Sequence, residues 1–440
     1  MRGQWVTVPA MLDVVVAGAG LAGLTCAREL DRAGVAVRVV EARDRVGGRT
    51  LSRQLGDHVF DFGGQWILPT QQRMLALADE LDIQLVPQFR DGRSVWLRDG
   101  VRKVDGGWRS LLPPLHAIEL AYRVWKLDRL RARDPDRAGQ SFADWIRDNV
   151  RARRAAEALT MLTQLSFAVE PHEISLRTFL QTTGSTGGIG RRDQFEGGVV
   201  ALSCAGGVQQ LSQRLAAQLA QSPRLSWPVS AVTVHADRVS VRSDGDELEA
   251  RRLVLAVPAA LVSGLAIDPP LPALARPDLM GPIIKCVATY DRAFWREQGL
   301  SGEAYSSDGA VRAVVDVTSA DGAQPALLGF IVGDGARHWS KQPAAERRAV
   351  VLAQLATLFG ESAASPTHYA EHDWLAAKYS DGCVGMFGSD GPADCWETAR
   401  EPAGHVYFCS SDTAAEWPGH MEGAVEAGQR TALRVLHSLD

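Results

Sequence analysis

Three glycines and a carboxylate, Gly18-x-Gly20-x-x-Gly23 and Glu41, are the first residues here whose types and spacing could do chemistry. Gly18 suits a tight turn, Gly20 lets a pyrophosphate approach the backbone, and Gly23 lets a helix pack on a strand. The amides of Leu21 and Ala22 would face the phosphates from the helix N-terminus. Glu41 would accept hydrogen bonds from ribose hydroxyls. A second candidate is a single side chain. Lys285 stands in "MGPIIKCVATY" (280–290), one of only five lysines in 440 residues. Burying an ammonium is costly unless it is paired or its proton affinity falls. From spacing alone, a functional cation and a lysine snorkelling from a strand end are equal readings.

The elements that must position these residues are legible around the glycines. "LDVVVAGAG" is a β-branched run, "LAGLTCARELDRAG" has helical period with Gly34 as its stop, and "VAVRVVEA" is a second buried strand. Together they predict a β-α-β unit with Glu41 closing its second strand. Residues 106–180 are mostly helical in period, with Ser141 as N-cap and Asp144 three positions on. The glycine-rich stretch "TGSTGGIGRRDQFEGGVV" (183–200) lacks the lysine and hydroxyl of a P-loop and reads as a cavity-lining or mobile loop. "AVTVHADRVSVRS" and "ARRLVLAVP" predict a hairpin that returns to the first sheet. After "HVYFCSS" and an irregular loop, a helix is predicted from about Met421 to Leu436.

Composition narrows the function classes. Apolar residues make up 46%, and the net charge of −5 comes without a basic block, so no nucleic-acid footprint is present. Cys26, Cys204, Cys286, Cys383, Cys395 and Cys409 are scattered and lack metal-type spacing, which fits free thiols in a reducing compartment and no metal site. "LVLAVPAALVSGLAI" (253–267) is too short for a membrane span and contains Pro258. The expectation is an intracellular, cytoplasmic protein without a membrane partner.

Beyond Glu41 the motif departs from a nicotinamide site. "EARDRVGGRT" (41–50) adds Arg43, Gly47, Gly48 and Arg49, a second layer suited to adenine and pyrophosphate. This segment resembles the FAD signature of the flavin-containing amine oxidases, the monoamine oxidase group. "DFGGQWILPTQQRMLALADELDI", "EPHEISLRTFL", "IDPPLP", "MGPIIKCVATYDRAFW", "KYSDGC" and "EWPGHMEGAVEAG" follow in the family's order, so the resemblance spans nearly the whole chain. The family's mitochondrial C-terminal tail is not matched, and the chain looks like a soluble, bacterial-type relative.

The resemblance implies an α/β (α+β) fold. Its Rossmann-like FAD-binding domain (1–86, 204–274, 377–440) would interleave with a substrate domain of mixed sheet and helices (87–203, 275–376). Lys285 would be the family's active-site lysine, reaching the flavin N5 through an ordered water. Met421 would place the last helix's positive end at the flavin, and Asp412 would contact the ribityl or pyrophosphate region. Gly64, Gln65, Trp66, Val229 and Trp374 would complete the cofactor site, with plain core packing the alternative for the two tryptophans. Cys383, in "YSDGC", would bond the flavin 8α-methyl carbon, as in some members, or stay a small buried thiol.

The substrate face departs from the family. Where monoamine oxidases flank the amine with two tyrosines, this chain has Val384 and His420. The family's substrate-side glutamine falls near Val199, and "LSFAVE" would keep an apolar wall from Leu165 to Phe167, with Ser166 inside it. The expected reaction is oxidation of an amine C–N bond, with O2 as acceptor and peroxide as product, in a chain that could be a homo-oligomer. Dehydrogenation of an amide or a specialised biosynthetic intermediate is the alternative.

Overall fold

The computed structural model describes residues 11–105, 112–130, 139–189, 201–271, 279–386 and 398–440. Val199, most of the 183–200 stretch and Cys395 lie outside the described residues. The β-branched run Leu12–Ala17 is a strand, β1, whose last four residues are buried. Gly18 turns the chain into α1 (Leu21–Arg32), and β2 (Val37–Val40) returns parallel to β1. Sterics demand glycine at both ends of this turn. Gly18 has φ +118°, and a Cβ on Gly23 would lie 2.1 Å from the Gly18 carbonyl oxygen. The helix ends where the sequence pattern ends it, with Gly34 at φ +81° just beyond the cap.

Strand Asp246–Leu255 explains how distant segments complete this sheet. Its second half runs parallel to β1, and its first half pairs antiparallel with Val239–Ser243. Val239–Ser243 pairs in turn with Ala231–Val234, giving the expected hairpin. Val406–Phe408 joins the other edge of Leu253–Leu255 in parallel, making seven strands in all. The apolar stretch at 253–267 is thus a strand end, a 3-10 turn (Ala259–Gly264) and a short edge strand (Ala266–Asp268). Among the described residues no helix is long and apolar enough to cross a membrane. The last helix, Met421–Leu439, crosses α1 at Gly428, where a Cβ would come within 2.7 Å of the Ala22 carbonyl oxygen.

A second seven-stranded sheet runs His368–Asp373, Ile283–Thr289, Ala326–Val332, Ala313–Asp316, Leu300–Ser306, Arg93–Arg98 and Val101–Asp105. It is mixed: Leu300–Ser306 and Arg93–Arg98 are parallel, and its other pairs are antiparallel. Helices Pro114–Arg129, Phe142–Asn149, Arg153–Phe167 and Leu176–Ser185 pack around Phe142, Trp145, Phe167 and Phe179. Each such buried aromatic contributes about 2–3 kcal/mol of burial. Ser141 caps its helix as expected, accepting from the Asp144 amide at 3.0 Å. The fold is mixed α/β.

Candidate active site

The ends of β1, β2 and strand Asp246–Leu255 open onto one cavity. Its lining includes Gly18, Gly20, Leu21, Ala22, Glu41, Arg43, Gly48, Arg49, Gly64, Val229, Cys383, His420 and Met421. The structure therefore gathers many of the residues singled out in the sequence, from six separate stretches, around one space. Val199 lies outside the described residues, and Gly23, Gln65, Trp66, Leu165, Ser166, Phe167, Lys285, Trp374, Val384 and Asp412 are not in this lining.

The glycine turn is held by the carboxylate that follows it. Glu41 is buried; its Oε2 accepts from the Ala19 amide at 2.8 Å and its Oε1 from the Arg43 amide at 2.9 Å. A carboxylate has further lone pairs, so this anchoring leaves capacity for a ligand hydroxyl. Gly20 and Gly48 face each other, and a Cβ on Gly48 (φ +55°) would sit 3.2 Å from the Gly20 Cα. Gly20, Leu21 and Ala22 line the cavity, and no side-chain cap or first-turn acid offsets the positive end of α1 there.

The arginines of "EARDRVGGRT" divide the work. Arg43 donates to the Lys378 carbonyl at 2.6 Å and the Ser380 hydroxyl at 2.8 Å, tying the cavity edge to the 378–380 turn. Arg49 donates to the Cys383 carbonyl at 2.9 Å, to Asp412 Oδ1 at 2.7 Å and to the Ser411 hydroxyl at 3.0 Å. Burial alone would lower the Arg49 pKa, but the charge and hydrogen bond of wholly buried Asp412 outweigh it and raise the value. Asp412 is thus the counter-ion of Arg49. Arg45, which sequence reasoning passed over, donates to the carbonyls of Val46, Gly48 and Thr50 and staples the paired-glycine turn. Burial lowers its pKa to about 10. Its position inside the motif was the signal that could have found it.

Lys285 sits on strand Ile283–Thr289, opposite Phe330 on one side and His372 on the other. It is only 5% exposed. Its Nζ donates to the Gly63 carbonyl at 2.7 Å and Gln65 Oε1 at 3.2 Å, and lies 5.3 Å from the ring centres of Trp66 and Phe330. Every one of these partners is neutral. Burial therefore lowers its pKa from 10.5 to about 8, against the supporting charges of Asp61 and Cys383. Asp61, also missed in the sequence, is buried beside Ser52 and the Val208 amide, and burial pushes it up to about 6.

Gly64, next to the carbonyl that holds Lys285, lines the cavity beneath Met421: a Cβ there would lie 3.2 Å from the Met421 Sδ. Met421 opens the last helix, whose N-cap His420 makes no side-chain cap. Trp66 donates to Gln88 Oε1 at 2.8 Å and leans on Phe330. Trp374 is wholly buried, donates to the Phe62 carbonyl at 2.7 Å and packs with Leu51, Phe60 and Val287.

Cys383 donates its amide to Gly281 at 2.9 Å, and burial raises its thiol pKa against the pull of Arg49 and Lys285. Val384 packs over Gly419, where a Cβ would lie 2.6 Å from the valine Cγ1. His420 Nδ1 bonds the Pro418 carbonyl at 2.9 Å, and its ring meets Trp417 edge-on. Phe167 is core to the helical layer and stacks edge-on with Phe179, while Leu165 and Ser166 are half-buried. Among the described residues no three His, Cys, Asp or Glu side chains converge as metal ligands.

Facing glycines, an uncapped helix N-terminus and an anchored carboxylate fit a pyrophosphate-bearing dinucleotide, and the buried Lys285 holds the carbonyl next to Gly64 of the lining. Comparison with known proteins agrees. The family model for flavin containing amine oxidoreductases matches residues 21–436. A Dictyostelium discoideum protein named "probable flavin-containing monoamine oxidase A" is 32% identical, covering 98% of each chain. The flavin-containing amine oxidase A of Sus scrofa is 31% identical over 98% of this chain and 86% of its own. Among solved structures, putrescine oxidase bound to putrescine superposes with a TM-score of 0.90 at 31% identity, covering 97% of this chain and 99% of its own. Cyclohexylamine oxidase from Brevibacterium oxydans gives 0.90 at 28%, covering 98% and 99%. The chain belongs to the flavin-containing amine oxidoreductase family and is an FAD-dependent amine oxidase.

Proposed function

We propose that this enzyme oxidises the C–N bond of an amine that differs from the simple arylalkylamines, being more polar or bulkier. The observation that carries the reading is Lys285. Its buried ammonium is held by neutral oxygens of the same Gly63–Trp66 segment whose Gly64 lines the cofactor cavity. When bound, FAD supplies a hydride acceptor at N5 for the substrate's α-hydrogen and a route for those electrons to O2, with peroxide released and the imine left to hydrolyse. The α1 amides at Leu21 and Ala22 would bind its phosphates, and Glu41 its ribose. Lys285 would hold a proton, and through it a water, beside the bound ring, where a fixed cation stabilises developing negative charge. The last helix lends its positive end at Met421. Cys383 would tether the ring through a thioether to its 8α-methyl carbon, giving up the S–H and one methyl C–H proton while the ring takes the two electrons and passes them to O2. Val384 and His420, in place of two tyrosines, shape the amine's approach, and the Nδ1 bond to Pro418 fixes the imidazole orientation.

The residues divide as 1–86, 204–274 and 377–440 for the cofactor, and 87–203 with 275–376 for the substrate. The altered face also favours a second reading, in which the same machinery dehydrogenates an amide or a specialised intermediate. The test is anaerobic mixing of the purified yellow protein with primary, secondary and tertiary amines, including putrescine and cyclohexylamine, and with amides. Bleaching of the visible flavin band by one amine class other than simple arylalkylamines establishes the first reading, and bleaching by simple arylalkylamines alone overturns its substrate choice. Bleaching by amides alone transfers the assignment to the second, and no bleaching by any donor removes both.

A further inference from the structure

The cysteines of this chain are not equivalent. Cys204 and Cys286 are each buried with no thiol among the groups that perturb them, and burial pushes both up to about 12. Cys26 and Cys409 are buried together in one core. Cys26 lies in the second turn of α1, and Cys409 directly follows the strand Val406–Phe408. The Cys409 thiol donates to the Ala22 carbonyl at 3.6 Å, one helical turn before Cys26. The two thiols also hydrogen-bond each other.

The pair is polarised. Cys26 donates the mutual hydrogen bond, which together with burial and the Glu29 charge pushes its thiol well above the usual value. Cys409 receives that bond, which with the Arg430 charge and the Thr431 hydroxyl holds its thiol below the usual value, against burial and Glu426. Around them polar groups stand unused. Among the described residues Thr25 Oγ1, Ser410 Oγ and Arg430 Nη1 are buried without a hydrogen-bond partner. Thr25 and Ser410 adjoin the two cysteines in the chain, and the Arg430 charge acts on both sulfurs. Unpaired buried donors are uncommon and costly. A thiolate at Cys409 is the acceptor that this corner of the core lacks.

We propose that Cys26 and Cys409 form a redox modification site, a dithiol that hydrogen peroxide closes to a disulfide between α1 and the end of strand Val406–Phe408. The Cys409 thiolate attacks one peroxide oxygen, the O–O bond breaks, and the hydroxide that leaves takes up the proton the thiol had released. The Cys26 sulfur then displaces water from the sulfenic acid as the S–S bond forms, and its own proton leaves with that water. Two thiols lose two electrons, and one peroxide becomes two waters. Ala22 and Ser410, which flank the pair, both line the cofactor cavity, and that is the oxidant's route to two unexposed sulfurs. The amine oxidation proposed above releases peroxide, but the dithiol does not depend on that reading, because added peroxide closes it equally. Closure takes the S–H from the Ala22 carbonyl and staples the first and last segments of the cofactor site to each other.

The test is peroxide treatment of the flavin-loaded full chain, quenched with catalase, then denatured, alkylated and mapped by mass spectrometry. The wild type should yield a peptide pair cross-linked through Cys26 and Cys409, keep Cys204 and Cys286 reduced, and recover both lost thiols with dithiothreitol. Its urea midpoint should rise on oxidation, because the link removes conformations from the unfolded chain. Cys26→Ser should abolish the cross-link and the midpoint shift, and leave Cys409 as a sulfenic acid that dimedone labels. Cys409→Ala should leave Cys26 unoxidised. A wild type that forms no cross-link, or whose Cys204 or Cys286 oxidises first, overturns the proposal. So does a thiol loss that is unchanged in Cys26→Ser, or a cross-link from either cysteine to any other.

Discussion

Replacing Lys285 by methionine removes one ammonium from a buried strand while keeping the length of the side chain. The fall in its pKa from 10.5 to about 8 corresponds to about 3 kcal/mol of penalty on the charged form in the folded state. Below pH 8 the folded and unfolded chains both carry the proton, so the penalty is present in full. Between pH 8 and about 10.4 the folded chain has released the proton and the unfolded chain has not. There the unfolded state binds more protons, so stability rises with pH by up to about 1.4 kcal/mol per unit. Above that window both states are neutral and the contribution is level.

Methionine abolishes this pH dependence but leaves the Gly63 carbonyl and Gln65 Oε1 without their donor, at about 1–3 kcal/mol for each buried acceptor left unmade. At pH 7 the two effects oppose, and the net change should stay within about 2 kcal/mol. The decisive quantity is the wild-type stability minus that of the variant, because titrations common to both cancel. Urea unfolding followed by tryptophan fluorescence at half-unit steps from pH 7 to 10.5 measures it. The difference should climb by about 3 kcal/mol across the window. A flat difference would refute the idea that Lys285 is a buried, unpaired ammonium.

Three further outcomes follow from the site. Acid precipitation should leave the flavin colour with the wild-type pellet and free it from Cys383→Ala; colour released from both would end the covalent assignment. Gly23→Ala places a Cβ 2.1 Å from the Gly18 oxygen and 2.8 Å from the Ala256 Cβ. It should destabilise the fold by about 1–3 kcal/mol and lower flavin content, read as the ratio of visible to protein absorbance; full occupancy would show that the turn can relax. His420→Tyr restores one aromatic wall and should raise kcat/KM for a simple arylalkylamine by about tenfold. An unchanged value would mean that His420 does not set the substrate choice.

The parts of the fold that were legible are those whose cause is local. Gly18 to Gly23, the Gly34 stop, the Ser141 cap and the 231–255 hairpin each follow from φ, caps or period within a few residues. What could not be read is pairing at distance. Nothing near Arg93–Arg98 announces that it will lie parallel to Leu300–Ser306. Glu422 illustrates the same limit. It is the acid in the last helix's first turn, yet its carboxylate accepts from the Arg73 and Met74 amides, at 3.1 and 2.8 Å. A first-turn acid suggests service to its own helix; here it satisfies orphan donors of helix Gln72–Glu80.

Lys285 joins the two kinds of information. In "GPIIKC" the charge is conspicuous because its apolar neighbours offer it no partner, and in "DFGGQW" the Gly63 carbonyl has no partner of its own in the local sequence. Each segment taken alone carries an unsatisfied polar group, a state that native interiors seldom keep. The fold brings them together across 222 residues, and the bond it makes is to a carbonyl, with no carboxylate in hydrogen-bond reach among the described residues. A carboxylate partner would have held the lysine fully protonated and inert. A neutral oxygen pair leaves it near pH 8, where a proton can move, and that choice of partner is what makes a structural contact a candidate for chemistry.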